Sequence, residues 1–516
     1  MSTYSASEWS LAIATCSRYL LATIIWGMSD VSAGLPPVIA IDRQSERPLP
    51  RQVYDGFRAA ILRGELRAGQ RVPSSRELAT DLRISRFPVL DAYAQLVAEG
   101  YFESRVGSGT FVSSSLRPQS VEPNHADGRP PGTRRLANRS SLFPQFMENP
   151  WRRGWGAFGV HQPALDYFPF EIWSRLITHH SREPRLHAIH NVDPLGLEPF
   201  RNAICDYLRT ARAVHCEPNQ IMVVSGSQQA LEITARVLLD PGDSVWIEEP
   251  GYLLTRSVLL GAGCRLLPVP VDEDGMDVAT GIRQGRNARA AFVTPSHHYP
   301  LGSTMSASRR LQLLDWARRS GAWIVEDDYD SEYRYESLPI PSLQGLDTDL
   351  RVIYIGTFSK VLFASLRLGY IVIPPDLVER FSAVRFAMDI FPSYLYQEVL
   401  TDFMRDGHFG RHIRRTRTLY NERRKVLLES LREVFGKTLG VHGTEAGMHM
   451  TVTLPEGFHD REIATRAAEE KLWLWPLSPS YIGETPKQGF VLGFGSTPTK
   501  QIREAVCHLR KVLSAS

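Results

Sequence analysis

The sequence predicts an α/β protein in two parts: a large body built on a mainly parallel, buried sheet, and ahead of it a small helical head that ends in a β-hairpin. Three observations carry this. From about residue 151 onward, short apolar runs alternate with helical patterns, as they do when helices cross between parallel strands. Residues 45–113 form a compact segment with helical periodicity and turn signals of its own. Between them, residues 114–150 are rich in Pro, Ser, Asn and Arg, and residues 116–153 hold seven arginines against three acids, which reads as a basic flexible linker.

At the start of the chain, Tyr19–Trp26 is apolar, but it falls short of the roughly 20 residues a spanning helix needs. It also lacks the basic opening and small-residue cleavage site of a signal peptide. Residues 1–35 are expected to be an unstructured appendage, with Met28 as the natural start, and no membrane association is expected. In the head, Val53, Phe57, Ile61 and Leu62 set a helical period over Leu49–Leu62, stopped by Gly64. Pro73-Ser74-Ser75 offers an N-cap for Arg76–Leu82, with Leu78, Ala79 and Leu82 inward. Arg83, Ile84 and Ser85 make a tight turn into a third helix, Arg86–Glu99, whose apolar residues are Val89, Leu90, Tyr93, Leu96 and Val97. Two short helices about such a turn are the helix-turn-helix plan, the second helix entering the major groove N-terminus first. Tyr101–Val106 and Thr110–Val112, joined by Gly107-Ser108-Gly109, then form a hairpin.

In the body, the expected strands are Ile221–Ser225, Ser244–Glu248, Arg265–Val271, Arg289–Thr294, Trp323–Glu326, Val352–Gly356 and Tyr370–Ile373. A chain of 516 residues suggests roughly three domains at about 150 residues each. With 43% hydrophobic and 22% charged residues it is not a disordered chain. The net charge is only +3, so nucleic-acid binding has to come from a local patch. Five scattered cysteines without a CxxC pair argue against a disulfide framework or a zinc site and fit a reducing cytosol.

Fifty-two of the basic residues are arginines and seven are lysines, and the first lysine is Lys360. Arginine stays protonated and cannot act as an amine nucleophile, so imine chemistry has few candidate sites. Lys360 follows the strand ending at Gly356, flanked by Phe358, Val361 and Leu362. Asp327 follows the strand Trp323–Glu326. Ligands of open α/β sheets gather at the carboxyl ends of strands, so these two residues point to one site. Pyridoxal phosphate needs such a pair: a lysine for the imine and an aspartate for the pyridinium proton. Ser225-Gly226-Ser227-Gln228-Gln229 leads into a helix and offers backbone N–H groups to a phosphate, with Arg367 able to add a positive charge.

The string VPSSRELATDLRISRFPVLDAYAQLVAEGYFESRVGSGTFV resembles the winged helix-turn-helix of the GntR family of bacterial transcription regulators. The resemblance implies double-stranded operator DNA as a partner, with Arg76, Ser85 and Arg86 at the DNA and Gly107 and Gly109 bringing the wing to the minor groove. Phe87-Pro88 departs from the family, which has small hydroxyl residues there. A purely structural role for Arg76 and Arg86 would be ion pairs with Glu77 and Asp81. The motifs SGSQQAL, EEPGY, VTPSHHYPLG, EDDYDSEYRY, GTFSK and LRLGY resemble the fold type I, class I/II aminotransferases, and the two-part plan resembles the MocR subfamily. This implies a pyridoxal 5'-phosphate site in which Lys360 holds the cofactor and is the catalytic residue, and Asp327 pairs with the ring nitrogen. It further implies Tyr329 at the phenolic oxygen, Tyr252 stacked on the ring, and Ser227, Gln228, Thr357, Ser359 and Arg367 around the phosphate.

Other residues read more plainly. Asp328 and Asp330 are expected as caps or ion-pair partners, and Tyr252 could also serve as core packing. His297 and His298 line the pocket, with no third metal ligand at useful spacing, and no metal is expected. His179, His180, His187 and His190 are expected on helix surfaces. His298, Leu301 and Ala364 replace residues common in the family, and Pro476–Tyr481 lacks the arginine with which aminotransferases grip a substrate carboxylate. The favoured function is therefore a cytoplasmic, homodimeric DNA-binding regulator with at most weak transaminase turnover. Its body senses a small amino compound, or pyridoxal phosphate itself. The alternative is an active aminotransferase with an appended head.

Overall fold

The computed structural model describes residues 39–116, 136–143, 149–152, 154–182, 193–336, 340–483 and 486–515. The expected appendage at residues 1–35, most of the expected linker, and His187 and His190 lie outside them. The chain divides into two compact units, Met1–Arg134 and Arg135–Ser516.

In the first unit, α1 (Leu49–Leu62), α2 (Ser75–Asp81) and α3 (Arg86–Ala98) precede the hairpin β1 (Phe102–Arg105) and β2 (Gly109–Val112). α2 starts at Ser75, one residue before the position expected, because Ser74 closes a capping box with Glu77. On α3 the inward set is Val89, Ala92, Tyr93 and Leu96, at helical spacing. Leu90 and Val97, expected among the apolar face, are instead 43% and 38% exposed, since a turn of 100° per residue carries them outward. Phe57, Tyr93 and Phe102 meet edge to face at 5.2–5.5 Å, which ties both helices to the hairpin. Pro88 is buried at the third helical position, where the missing N–H would have had no intrahelical acceptor.

All seven expected strands of the body are present, with ends shifted by one or two residues: β3 (Ile221–Val224), β4 (Ser244–Glu249), β5 (Arg265–Asp272), β7 (Ala290–Val293), β8 (Trp323–Asp328), β9 (Val352–Thr357) and β10 (Gly369–Val372). With the short β6 (Gly275–Met276) they form one sheet in the order β3-β10-β9-β8-β7-β4-β5-β6. The central pairs β5–β4–β7–β8–β9 are parallel, and β10 runs antiparallel between β9 and β3. Both faces are covered, so the central strands read as unbroken apolar runs. Tyr354 and Tyr370 face one layer with Phe200, Leu208 and Phe403. Ile353, Ile355 and Ile371 face the other with Leu231, Ile233 and Phe381.

A second, antiparallel sheet of four strands was not anticipated: β11 (Gly440–His442), β12 (His449–Thr453), β14 (Gly489–Gly493) and β13 (Trp475–Pro476), in that order. It packs with helices His408–Phe435, Asp460–Glu469 and Thr499–Ser514 around Tyr420, Leu431, Met450, Phe490 and Leu509. Within the stretch expected as linker, Asn138–Leu142 forms a short 3-10 helix. Beside it, the Phe143 ring lies so close to Gly261 that a Cβ there would come within 2.7 Å of it.

His180 is a correction. It is 3% exposed rather than on a helix surface, and its Nε2 lies 2.9 Å from Asp402 on helix Tyr394–Arg405. The helix Phe170–Arg182 packs that face against a partner more than 200 residues away, which local polarity could not signal. Among the described residues no helix is long and apolar enough to cross a membrane.

Candidate functional site

The site forms where β8 and β9 run out. Asp327 is the next-to-last residue of β8 and pairs in register with Ile355 of β9. Lys360 stands three residues beyond the end of β9, between the buried Phe358, Val361 and Leu362. Burial pushes the Lys360 amine down to about 8, against the opposing pull of the Asp330 and Asp327 carboxylates. Asp327 is buried, and burial together with neighbouring Asp328 pushes its carboxyl up to about 7, with Lys360 opposing. Its Oδ1 has no hydrogen-bond partner among the described residues. A buried orphan acceptor is costly unless something else satisfies it.

On β3's side of the sheet, Gly226 (φ 97°) turns the chain into helix Ser227–Leu238. No side chain caps that helix, so the N–H groups of its first turn, at Ser227 and Gln228, face outward. A Cβ at Gly226 would lie 3.3 Å from the Arg367 guanidinium, so Arg367 reaches over this same helix start. Thr357 and Ser359 are both buried. The Thr357 Oγ1 accepts from the Ser359 N–H at 3.2 Å, and the Ser359 Oγ is unpartnered among the described residues. Tyr252 lines the cavity that Asp327 also lines. The fold thus draws Lys360, Asp327, Tyr252, Arg367 and the Ser227 helix start to one end of the sheet.

Tyr329 is buried, and its hydroxyl lies 3.1 Å from His297 Nδ1. The same Nδ1 lies 2.9 Å from Asp330 Oδ1. A carboxylate beside Nδ1 selects the tautomer with its proton there and holds that proton, so the ring nitrogen cannot accept from Tyr329 and the Tyr329 proton is left for another acceptor. Asp328, expected as an ion-pair partner, accepts from Arg212 Nε at 2.8 Å and from the Tyr354 hydroxyl at 2.6 Å. Arg212 also donates to Ser296 Oγ and the Ile340 carbonyl. His298 is buried and neutral, pushed down to about 3, with Nε2–H toward the Pro250 carbonyl and Nδ1 accepting from Leu301 N–H.

Sequence spacing offered no third partner for the His297-His298 pair. The fold supplies two, bringing Asp330 and His449 within 4.8 Å of His297. Asp330 is already engaged there by the His297 ring and the Met448 N–H. His161 was also missed: it sits 5.2 Å from the Tyr299 ring, and burial, with Lys360 next, holds its imidazole well below the ordinary range. Nothing in its local sequence marks it. A second cavity adjoins, lined by Tyr252, His161, Tyr299, Trp475 and the arginines Arg152, Arg256 and Arg461.

In the head, Arg76 and Arg86 are exposed and make no ion pair among the described residues; Glu77 is taken up by the capping box. Arg86 Nε donates to Ser75 Oγ at 3.1 Å, which fixes the side chain between α2 and α3. Ser85 is the N-cap of α3, yet its side chain makes no capping bond. At the hairpin, Gly107 and Gly109 have φ of 75° and 106°, and a Cβ on Gly109 would crowd Arg71 at 3.2 Å.

Two family models match the chain: "Bacterial regulatory proteins, gntR family" over residues 49–112, and "Aminotransferase class I and II" over residues 185–508. The probable rhizopine catabolism regulatory protein MocR of Rhizobium meliloti is 41% identical over 93% of this chain and 96% of that protein. The pyridoxine biosynthesis transcriptional regulator PdxR of Corynebacterium glutamicum is 30% identical over 93% and 99%. The kynurenine aminotransferase of Pyrococcus horikoshii, solved with PMP, superposes with a TM-score of 0.68 at 26% identity, over 74% of this chain and 97% of that one. Aminotransferases of these classes use pyridoxal phosphate, and the orphan Asp327 Oδ1, the uncapped helix start and the lowered Lys360 amine fit that group. A groove-reading head and an aminotransferase-like body in one chain, shared along nearly the full length of known regulators, make this protein a DNA-binding transcription regulator of the GntR family, in its MocR subfamily.

Proposed function

We propose that the protein acts in the cytoplasm as a homodimer, in which occupancy of the Lys360 site by an amino compound, or by pyridoxal phosphate itself, changes how the two heads bind operator DNA. The observation that carries this reading is the pairing of a buried, unpartnered Asp327 Oδ1 with an amine of lowered pKa at the ends of adjacent parallel strands. Bound pyridoxal phosphate supplies an aldehyde that a primary amine can capture. Asp327 would hold the proton of the ring nitrogen. Tyr252 would pack on the ring, and Tyr329, beside His297 and Asp330, would donate a hydrogen bond to the ring's phenolic oxygen. Ser227, Gln228, Thr357, Ser359 and Arg367 would hold the phosphate. Arg152, Arg256 and Arg461 in the adjoining cavity favour an amine that also carries an acidic group. A ligand shifts the heads only if it favours one body conformation over another.

The test titrates holo-protein with a panel of amines, with and without acidic groups, following cofactor absorbance and duplex binding together. Concerted changes in both are expected. Rapid multiple turnover with 2-oxo acids and no duplex binding would favour the aminotransferase reading instead. Lys360 must be neutral to react, and its amine loses its proton near pH 8, so cofactor capture by apo-protein should accelerate as pH rises through about 8 and then level off. Stopped-flow absorbance over pH 6–10 checks this; a rate that falls across that range contradicts it. In the head, Arg86→Ala is expected to cost about 1–3 kcal/mol of specific duplex binding if the guanidinium reads a guanine. A gel-shift comparison with competitor duplexes measures the loss.

A further inference from the structure

Phe87 is the second residue of α3, in the first turn of the helix that enters the major groove, and it is 75% exposed. It plays no part in holding the head together. The core of the head closes without it, and no ring contact joins it to another aromatic among the described residues. Its neighbour Pro88 is buried, which fixes the first turn against the core and leaves Phe87 facing out. The groups around it are polar: exposed Arg86 fastened to Ser75, exposed Arg76 at the start of α2, and Ser85 with its hydroxyl unused by the helix. These suit phosphates and base edges. Leu90, one turn on, extends the apolar strip toward the cleft between α3 and the wing, where Ser104 and Thr110 also lie.

In the major groove every base edge is a pattern of donors and acceptors, with one apolar exception, the C5-methyl group of thymine. A phenyl ring carried into that groove among polar anchors can be desolvated favourably only there. We propose that Phe87 is a specificity-determining residue that reads the methyl group of a thymine in each half-site. The inference rests on the regulator reading, because it needs the head to dock on duplex DNA.

Full-length holo-protein is used to select binding sites from a randomised duplex pool. In the recovered duplex each thymine is then replaced singly by deoxyuridine, which removes the methyl group and leaves base pairing intact. For the unmodified protein, one thymine per half-site should lose about four-fold in affinity on this change, the worth of one buried methyl group. Phe87→Ser should be indifferent to the same change, and its own selected pool should lose thymine enrichment in that column alone. If no thymine is sensitive to loss of its methyl group, or if Phe87→Ser keeps the same sensitivity, the proposal is overturned. If no duplex is selected at all, the DNA-binding reading falls and the proposal with it. The deoxyuridine series on the unmodified protein needs no variant to fold, so the outcome does not depend on the stability of Phe87→Ser.

Discussion

Lys360→Ala protein, incubated with excess pyridoxal phosphate and desalted, will be colourless, and borohydride will fix no cofactor to it. The unmodified protein will carry one fixed cofactor per chain, on the peptide containing Lys360. The effect is complete rather than graded, because no other lysine stands in the first 359 residues and Lys360 is the one lysine whose charge acts on the Asp327 carboxyl. The site is also built to lower the amine: Phe358, Val361 and Leu362 are each 1% exposed and exclude water around it. The alanine variant should keep the circular dichroism of the parent, since Lys360 makes no hydrogen bond or ion pair that holds the described fold together. A cofactor band that survives in Lys360→Ala would remove Lys360 from its assigned role.

Arg212→Met should lower the unfolding free energy of the body by about 3–5 kcal/mol, the cost of leaving a buried charge without its partner. Both partners are almost fully enclosed, with side chains 4% and 2% exposed at a separation of 2.8 Å. Arg212 also joins helix Glu198–Arg212 to Ser296 and to the Ile340 carbonyl, so three chain segments lose a common anchor. Urea unfolding followed by near-ultraviolet dichroism measures the change. Adding Asp328→Asn should recover part of the loss, because the orphaned carboxylate goes with it. A loss of less than about 1 kcal/mol would mean that the pair is solvated like a surface bridge.

How far the sequence could be read depended on the range of the contacts involved. β7 (AAFV) and β9 (VIYIGT) were legible because burial on both faces leaves unbroken apolar runs. The head was legible because its cap, turn and hairpin signals are local. β11 and β13 are three and two residues long, too short for any period to show, and helix His408–Phe435 hides its apolar positions among many arginines. Within the site, Lys360 and Asp327 stood out because each lies at or just past the end of an apolar strand, and Lys360 is the first lysine of the chain. The support for Tyr329 did not, since His297, Asp330 and His449 converge from three separate stretches of chain. His180 was misplaced for the same reason: its carboxylate partner arrives from a distant helix.

The aromatic trio of Phe57, Tyr93 and Phe102 sits in a cluster drawn wholly from residues 39–112, while every cluster of the body begins at Trp151 or later. Clusters of this kind predict a cassette: exchanging the front unit for one with a different address should leave the cofactor absorbance of the unit behind it unchanged.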